Sequence, residues 1–198
     1  AVVVTATLRE TAERWRSAEP DADMSDELSA LLDGDPRELE DRFTGRLQFG
    51  TAGLRAAVGA GPQRMNRLVV RQAAAGLGAY LRENYPVASE RGVVVGYDKR
   101  RKSDLFAAYT ARVLAAMGIR VRLFDQIVPT PVLAWSITAT DAAAGVVVTA
   151  SHNPPADNGY KVYLGDGAQI VPPQDTGIAG CIDRFDPTTI ELAAPDHA

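Results

Sequence analysis

The sequence predicts an α/β fold: a mixed, mostly parallel sheet sandwiched between helices, with a helical arm at its N-terminus. Two observations carry this expectation. Residues 93–97 and 145–149 are short, continuous, Val-rich apolar runs, the pattern of strands buried on both faces. Segments of helical period with start and stop signals stand beside and between them. Strand–helix–strand alternation at these lengths implies crossover units and parallel pairing.

The elements follow in chain order. Leu8, Ala12 and Trp15 recur at helical spacing, Ser25 stands where a cap starts a helix through Leu32, and Pro36 fits a first helical turn. Residues 1–45 are therefore read as a helical arm, a scaffold packed on the domain of residues 46–186. Asn66 caps a helix to about Asn84, with Leu68, Val69, Ala73, Gly76, Leu77, Tyr80 and Leu81 on one face. Ser103 is placed to cap the next helix, whose face is Phe106, Tyr109, Val113 and Met117 and whose stop is Gly118. Residues 119–123 alternate with period two, as a half-exposed strand does. Thr130-Pro131 starts a short helix towards Thr138, and residues 178–185 suggest a last one. Residues 187–198 read as the start of a linker to a further domain.

Composition narrows the function classes. The chain has 198 residues, 46% hydrophobic and 23% charged, with a formal net charge of −4, so a general nucleic-acid binder is not expected. The basic run Lys99-Arg100-Arg101-Lys102 reads as a solvated turn. A single cysteine, Cys181, excludes an intrachain disulfide and a cysteine metal cluster, and fits a reducing, cytoplasmic setting. Residues 1–4 are apolar but too short, and without a basic flank, to be a targeting segment. No stretch approaches the ~20 apolar residues of a membrane span. The expectation is a soluble cytoplasmic protein acting on a small molecule, with no nucleic-acid or membrane partner.

The chemistry concentrates in Thr149-Ala150-Ser151-His152-Asn153-Pro154-Pro155, directly after a buried strand. Ligand crevices of open α/β sheets lie at the carboxyl ends of strands. Proline stiffens this bend by fixing its own φ and restricting the residue before it. Asp157-Asn158-Gly159 is a second turn signal that returns the chain into residues 160–163 and brings Lys161 near Ser151. Neighbours in an extended loop point different ways, so Ser151 and His152 do not form a protease-like nucleophile–base pair. Taken alone, Ser-His-Asn-Pro reads more readily as an ordinary turn.

Four segments in order resemble the α-D-phosphohexomutase superfamily. Residues 149–154 resemble its phosphoserine loop. Phe49-Gly50-Thr51-Ala52-Gly53-Leu54-Arg55 resembles its Gly-rich loop with an arginine, and residues 96–103 resemble its Tyr-Asp-x-Arg-x-x-Ser signature. Residues 157–163 with 167–170 resemble the branch that holds phosphopentomutases and several bacterial phosphomannomutases.

The resemblance implies that Ser151 carries a phosphoryl group, gives it to a sugar monophosphate, and recovers the other phosphate from the bound bisphosphate. It implies catalytic roles for Ser151, His152, Arg55 and Lys161, and phosphate or substrate binding by Gly50, Thr51, Ala52, Gly53 and Asn153. Asp98 and Arg100 are expected to brace the loop. Mg²⁺ is the implied metal, with Ser151 its only ligand here, through the phosphate; a sugar 1,6-bisphosphate is the implied activator. The family's metal-binding aspartate motif is absent from this sequence, and Asp166 reads as a turn residue. The first expectation is interconversion of mannose or glucose 1-phosphate and 6-phosphate. The alternatives are a phosphopentomutase, a glucose-1,6-bisphosphate synthase, or a non-catalytic sugar-phosphate-binding remnant. Complete members of the family are far longer, so this chain is expected to be a first-domain piece, inactive alone.

Overall fold

The computed structural model describes residues 2–195, with side chains from residue 7. The first residue of the predicted arm and the last three of the predicted linker, His197 among them, lie outside the described residues. The elements in order are α1 (Val2–Ala18), α2 (Ala22–Asp33), α3 (Pro36–Phe43), β1 (Leu54–Ala57), α4 (Arg67–Asn84), α5 (Ala88–Arg91), β2 (Val93–Tyr97), α6 (Ser103–Ala116), β3 (Val121–Leu123), α7 (Thr130–Ala139), β4 (Ala144–Val148), β5 (Asp157–Leu164) and α8 (Gln174–Ile182).

Helix ends follow local chemistry in part. Pro36 opens α3 behind Asp35, whose carboxylate accepts from the Arg37 amide. The Asn66 side chain accepts from the Val69 amide and donates to the carbonyls of Gly59 and Gly61, so one residue caps α4 and closes the loop before it. Gly118 follows α6 at φ 76, where a β-carbon would be strained. Other caps moved. α2 begins behind Asp21, leaving Ser25 inside its first turn. Ser103 is the first residue of α6, with Lys102 in the capping position, because its hydroxyl donates to Asp98 instead. Thr130 likewise lies inside α7, behind Pro129. α8 starts after the Pro172-Pro173 pair and ends at Ile182, earlier than predicted.

The sheet order is β1-β5-β4-β2-β3. β2 pairs in parallel with β3 and β4, while β5 runs antiparallel to both β4 and β1. The sheet is mixed as predicted, but only two of its four pairings are parallel. The chain leaves β4 and returns directly in β5 through residues 149–156, with no helical crossover. Asp157-Asn158-Gly159 is accordingly not a turn but the start of β5, and its register sets Gly159 opposite Arg55. A β-carbon on Gly159 would lie 2.6 Å from the Thr149 carbonyl oxygen and 2.8 Å from that of Leu54, so glycine lets three strands close up there.

Strand alternation divides the core. Val93, Val95, Ala144, Val146, Val148, Tyr160 and Val162 face one side, joined there by α4 and α6. Val94, Val147 and Tyr163 face the other, against Leu133 and Ile137 of α7. Ala12, Trp15, Met24, Leu28, Leu39 and Phe43 belong to the first cluster, so the arm shares one continuous core with the sheet. The stretch predicted as linker turns back along α6, where the Ala193 amide donates to the Arg112 carbonyl at 3.0 Å. Among the described residues, no helix is long and apolar enough to cross a membrane.

Between α1 and α2, Glu19 has one carboxylate oxygen buried without a hydrogen-bond partner. Burial pushes its carboxyl from 4.5 up to about 7; the Asp21 amide, Arg67 and Lys102 oppose the shift, and the Asp21 carboxylate adds to it. A carboxyl raised on folding stabilises while protonated, so this contribution is complete below 4.5 and is lost as pH climbs through about 7. Glu19→Gln is therefore expected to stabilise the protein at pH 8 by on the order of 1–3 kcal/mol and to change little at pH 4.5. Thermal melts at the two pH values check this; an equal effect at both would refute it.

Candidate functional site

Ser151 sits at the tip of the β4–β5 reversal with φ 55, in the left-handed region. Its amide donates to the Thr149 hydroxyl at 3.0 Å, a bond that holds the strained residue from within the turn. The Asn153 amide donates to the Ala150 carbonyl at 3.0 Å, and the Asn153 side-chain amide to the Asp157 carboxylate at 2.8 Å. Pro154 and Pro155 offer no amide hydrogens, so much of this turn must be held from outside.

Arg100 does so. Its Nη1 donates to the carbonyls of Pro154 (2.8 Å) and Asp157 (3.1 Å), and its Nη2 to those of Ser151 (2.9 Å) and Asn153 (2.8 Å). Asp98 steadies the guanidinium at 3.5 Å from Nε, and also accepts from the Arg100 amide and the Ser103 hydroxyl. The Asp98 amide is itself tied to the Val148 carbonyl at the end of β4. Asp98 and Arg100 thus brace the loop, as the sequence predicts.

Two further cations stand close by. Arg55 of β1 reaches across the strands to donate to Asn153 Oδ1 at 3.0 Å. Lys161 of β5 lies on the same face, diagonal to Arg55 in the β1–β5 register. Partial burial pushes the Lys161 ammonium below its usual range, and the Arg55 charge adds to that. Among the described residues, neither Arg55 nor Lys161 has an ion pair with a carboxylate, while nine other arginines do. His152 is exposed and makes no hydrogen bond among the described residues.

The Gly-rich loop is less available than the sequence suggests. Gly50 and Gly53 spend their amides on each other's carbonyls. Gly53 has φ 74, and a β-carbon there would collide with the Tyr160 carbonyl, so this glycine serves close packing of β1 on β5. Thr51 donates its hydroxyl to Asp175 at 3.1 Å, and Gln169 donates to the Thr51 carbonyl at 2.7 Å. Thr51 and Ala52 are exposed at the tip. Sequence reasoning missed Thr149, Gln169 and Asp175 as supports; only Thr149, two residues before Ser151, carries a local signal for its role. No three His, Cys, Asp or Glu side chains are grouped to hold a metal ion among the described residues, so this chain's side chains alone do not fit a Mg²⁺ site.

A family model for the phosphoglucomutase/phosphomannomutase alpha/beta/alpha domain I matches residues 46–188. The chain belongs to this family. It is 44% identical over 178 residues to a protein of Schizosaccharomyces pombe named "Probable phosphoribomutase", an alignment covering 89% of this chain and 30% of that protein. It is 42% identical over 178 residues to the human glucose 1,6-bisphosphate synthase, covering 86% of this chain and 29% of that one. A crystal structure of a phosphoglucomutase/phosphomannomutase family protein from Burkholderia thailandensis superposes with a TM-score of 0.59 at 27% identity, over 74% of this chain and 31% of that chain. The chain thus spans less than a third of the relatives that it matches.

The geometry around Lys161 is directly testable. In this phosphoglucomutase/phosphomannomutase domain, Lys161 is expected to titrate below the ordinary lysine range, observed through its ¹³Cε resonance. Arg55→Met should bring the midpoint part of the way back up, since burial is the larger cause and remains. An ordinary lysine midpoint, or a further fall in the variant, would contradict this account.

Proposed function

We propose that this domain carries the phosphoryl group of a sugar-phosphate mutase on Ser151. The observation that supports this best is an exposed serine on an externally clamped turn, near two cations that no carboxylate pairs with among the described residues. A phosphate on Ser151 brings about −1.5 to −2 charges at neutral pH. Arg55 and Lys161 would hold that charge beside a second phosphate.

In the proposed first half-reaction, a hydroxyl oxygen of the sugar monophosphate forms a bond to phosphorus as the bond from phosphorus to Ser151 Oγ breaks. The hydroxyl proton passes to the neutral Lys161 amine, and the ammonium so formed gives a proton to Oγ, leaving free serine, a neutral amine and a sugar bisphosphate. In the second half, Oγ takes the other phosphate and the sugar regains a hydroxyl. Lys161 can accept a proton only as the neutral amine, which its lowered pKa makes accessible. His152 lies next to Ser151 in the chain and is free to hydrogen-bond phosphoryl or sugar oxygens. Asn153, held by Arg55, fixes the far side of the turn, and Thr51 and Ala52 supply the exposed tip of the Gly-rich loop. A sugar bisphosphate activator would load Ser151 by the reverse of the first half-reaction. Mg²⁺ would supply charge neutralisation at the transferring oxygens; the residues here do not hold it by themselves, and no step is routed through it.

The relatives' names bear on the sugar. A phosphoribomutase and a glucose 1,6-bisphosphate synthase favour a pentose phosphate or a glucose bisphosphate over mannose. In an active protein containing this chain, ribose 1-phosphate or glucose 1-phosphate is expected to turn over faster than mannose 1-phosphate. Ser151→Ala should lower the rate by about 10³-fold or more, and mass spectrometry after incubation with the sugar bisphosphate should find phosphate on Ser151. A variant that keeps its rate would remove Ser151 as carrier.

A further inference from the structure

The turn of residues 98–103 is gripped from two sides. On one side Arg100 meets the four carbonyls of the Ser151 loop, and Asn158 of β5 donates to the Arg101 carbonyl (3.0 Å) and the Ser103 hydroxyl (2.9 Å). On the other side lies the helical arm. Lys102 Nζ is 3.1 Å from Asp21 and 2.9 Å from Asp23, and Arg101 is 2.7 Å from Asp23. Asp21 is anchored in turn by Arg67 of α4 at 2.6 Å.

The backbone at Lys102 makes this grip informative. Its φ is 62, a left-handed conformation that a glycine adopts freely and that is strained for a lysine. Such strain persists where the surroundings over-determine the residue. Here they do so through the side chain, which is only 12% exposed, between two carboxylates. Lys102 is also the main cause that holds the Asp23 carboxyl below its usual range.

We propose that Lys102 is a positioning residue for the Ser151 turn: with Asp21 and Asp23 it ties the 98–103 turn to the arm, so that Arg100 is presented to the carbonyls of residues 151–157. The arm, which shares the core, is then also part of the apparatus that sets the serine. The consequence for rate rests on the reading of Ser151 as phosphoryl carrier; the consequence for loop order does not.

Lys102→Gly separates the tie from the backbone, because glycine keeps the left-handed conformation and loses the ammonium. Hydrogen–deuterium exchange on the chain is expected to show amides of residues 151–157 exchanging about tenfold faster, with β2 and β4 unchanged. In an active protein containing the chain, kcat should fall by about tenfold with KM little changed, since small misplacements of reacting groups act on the chemical step, and Lys102→Arg should retain both. Unchanged exchange at residues 151–157, or a rise spread evenly over the sheet, overturns the proposal. If Ser151→Ala keeps its activity, the carrier reading fails while the exchange result still decides the tie. Should Lys102→Gly fail to fold, Lys102→Asn serves: asparagine also tolerates the left-handed conformation and gives up both ion pairs at once. Faster exchange in the same segment supports the tie, and parental exchange there overturns it.

Discussion

A reversal containing Pro154 and Pro155 and a left-handed serine cannot satisfy its own backbone, and the site depends on how that deficit is met. Arg100 meets it. A guanidinium presents five donors in a rigid fork, so one side chain can collect the carbonyls of Ser151, Asn153, Pro154 and Asp157 at once. A lysine in that place would offer a point charge without the fork. Since Arg100 is held by Asp98, and Asp98 by the end of β4 and by Ser103, the serine's position is referred back to the sheet. The catalytic candidate is thus the outermost link of a chain whose inner links are polar and half-buried.

The sequence made the regular parts of this arrangement legible. The Val-rich runs became β2 and β4, and Asn66 and Pro36 marked helix starts, because burial on both faces and helix-start chemistry are local in their signal. Two of the readings that moved did so because another partner took the groups that the local pattern would have used. Ser103 has the chemistry of a cap, but a carboxylate five residues back took its hydroxyl. Asp157-Asn158-Gly159 has turn composition, yet Asn158 is buried with two donors committed to the 98–103 turn, and Gly159 is where three backbones approach. Turn propensity yielded there to tertiary contact. The residue types of the site came from a motif resemblance, whereas the Arg55–Asn153 bond and the Thr51–Asp175 support join segments too far apart for any spacing rule to show.

The Gly-rich loop teaches a narrower lesson about glycines near a site. Small residues permit backbone amides to approach an anion, but they permit backbones to approach each other as well. Gly53 does the second, and with Gly50 it forms a closed pair of hydrogen bonds. What remains for a ligand is the exposed tip at Thr51 and Ala52, on a loop steadied by Gln169 and Asp175 from outside it.

If Ser151 carries the phosphoryl group, as proposed, the charges around it have to serve two demands that pull against each other. A phosphate on Ser151 favours the protonated ammonium of Lys161, because an opposite charge stabilises the charged form. Acceptance of a proton from a sugar hydroxyl needs the neutral amine at that same stage. Burial alone lowers the lysine's pKa, but it also makes the site less hospitable to a dianion. Arg55 relieves the conflict. It stays charged throughout, so it adds attraction for the phosphate while its proximity pushes the Lys161 ammonium further down. In the proposed reaction, one fixed cation beside one titratable cation would therefore separate charge neutralisation from proton transfer, which a pair of lysines or a lone lysine in this position would have to perform with the same proton.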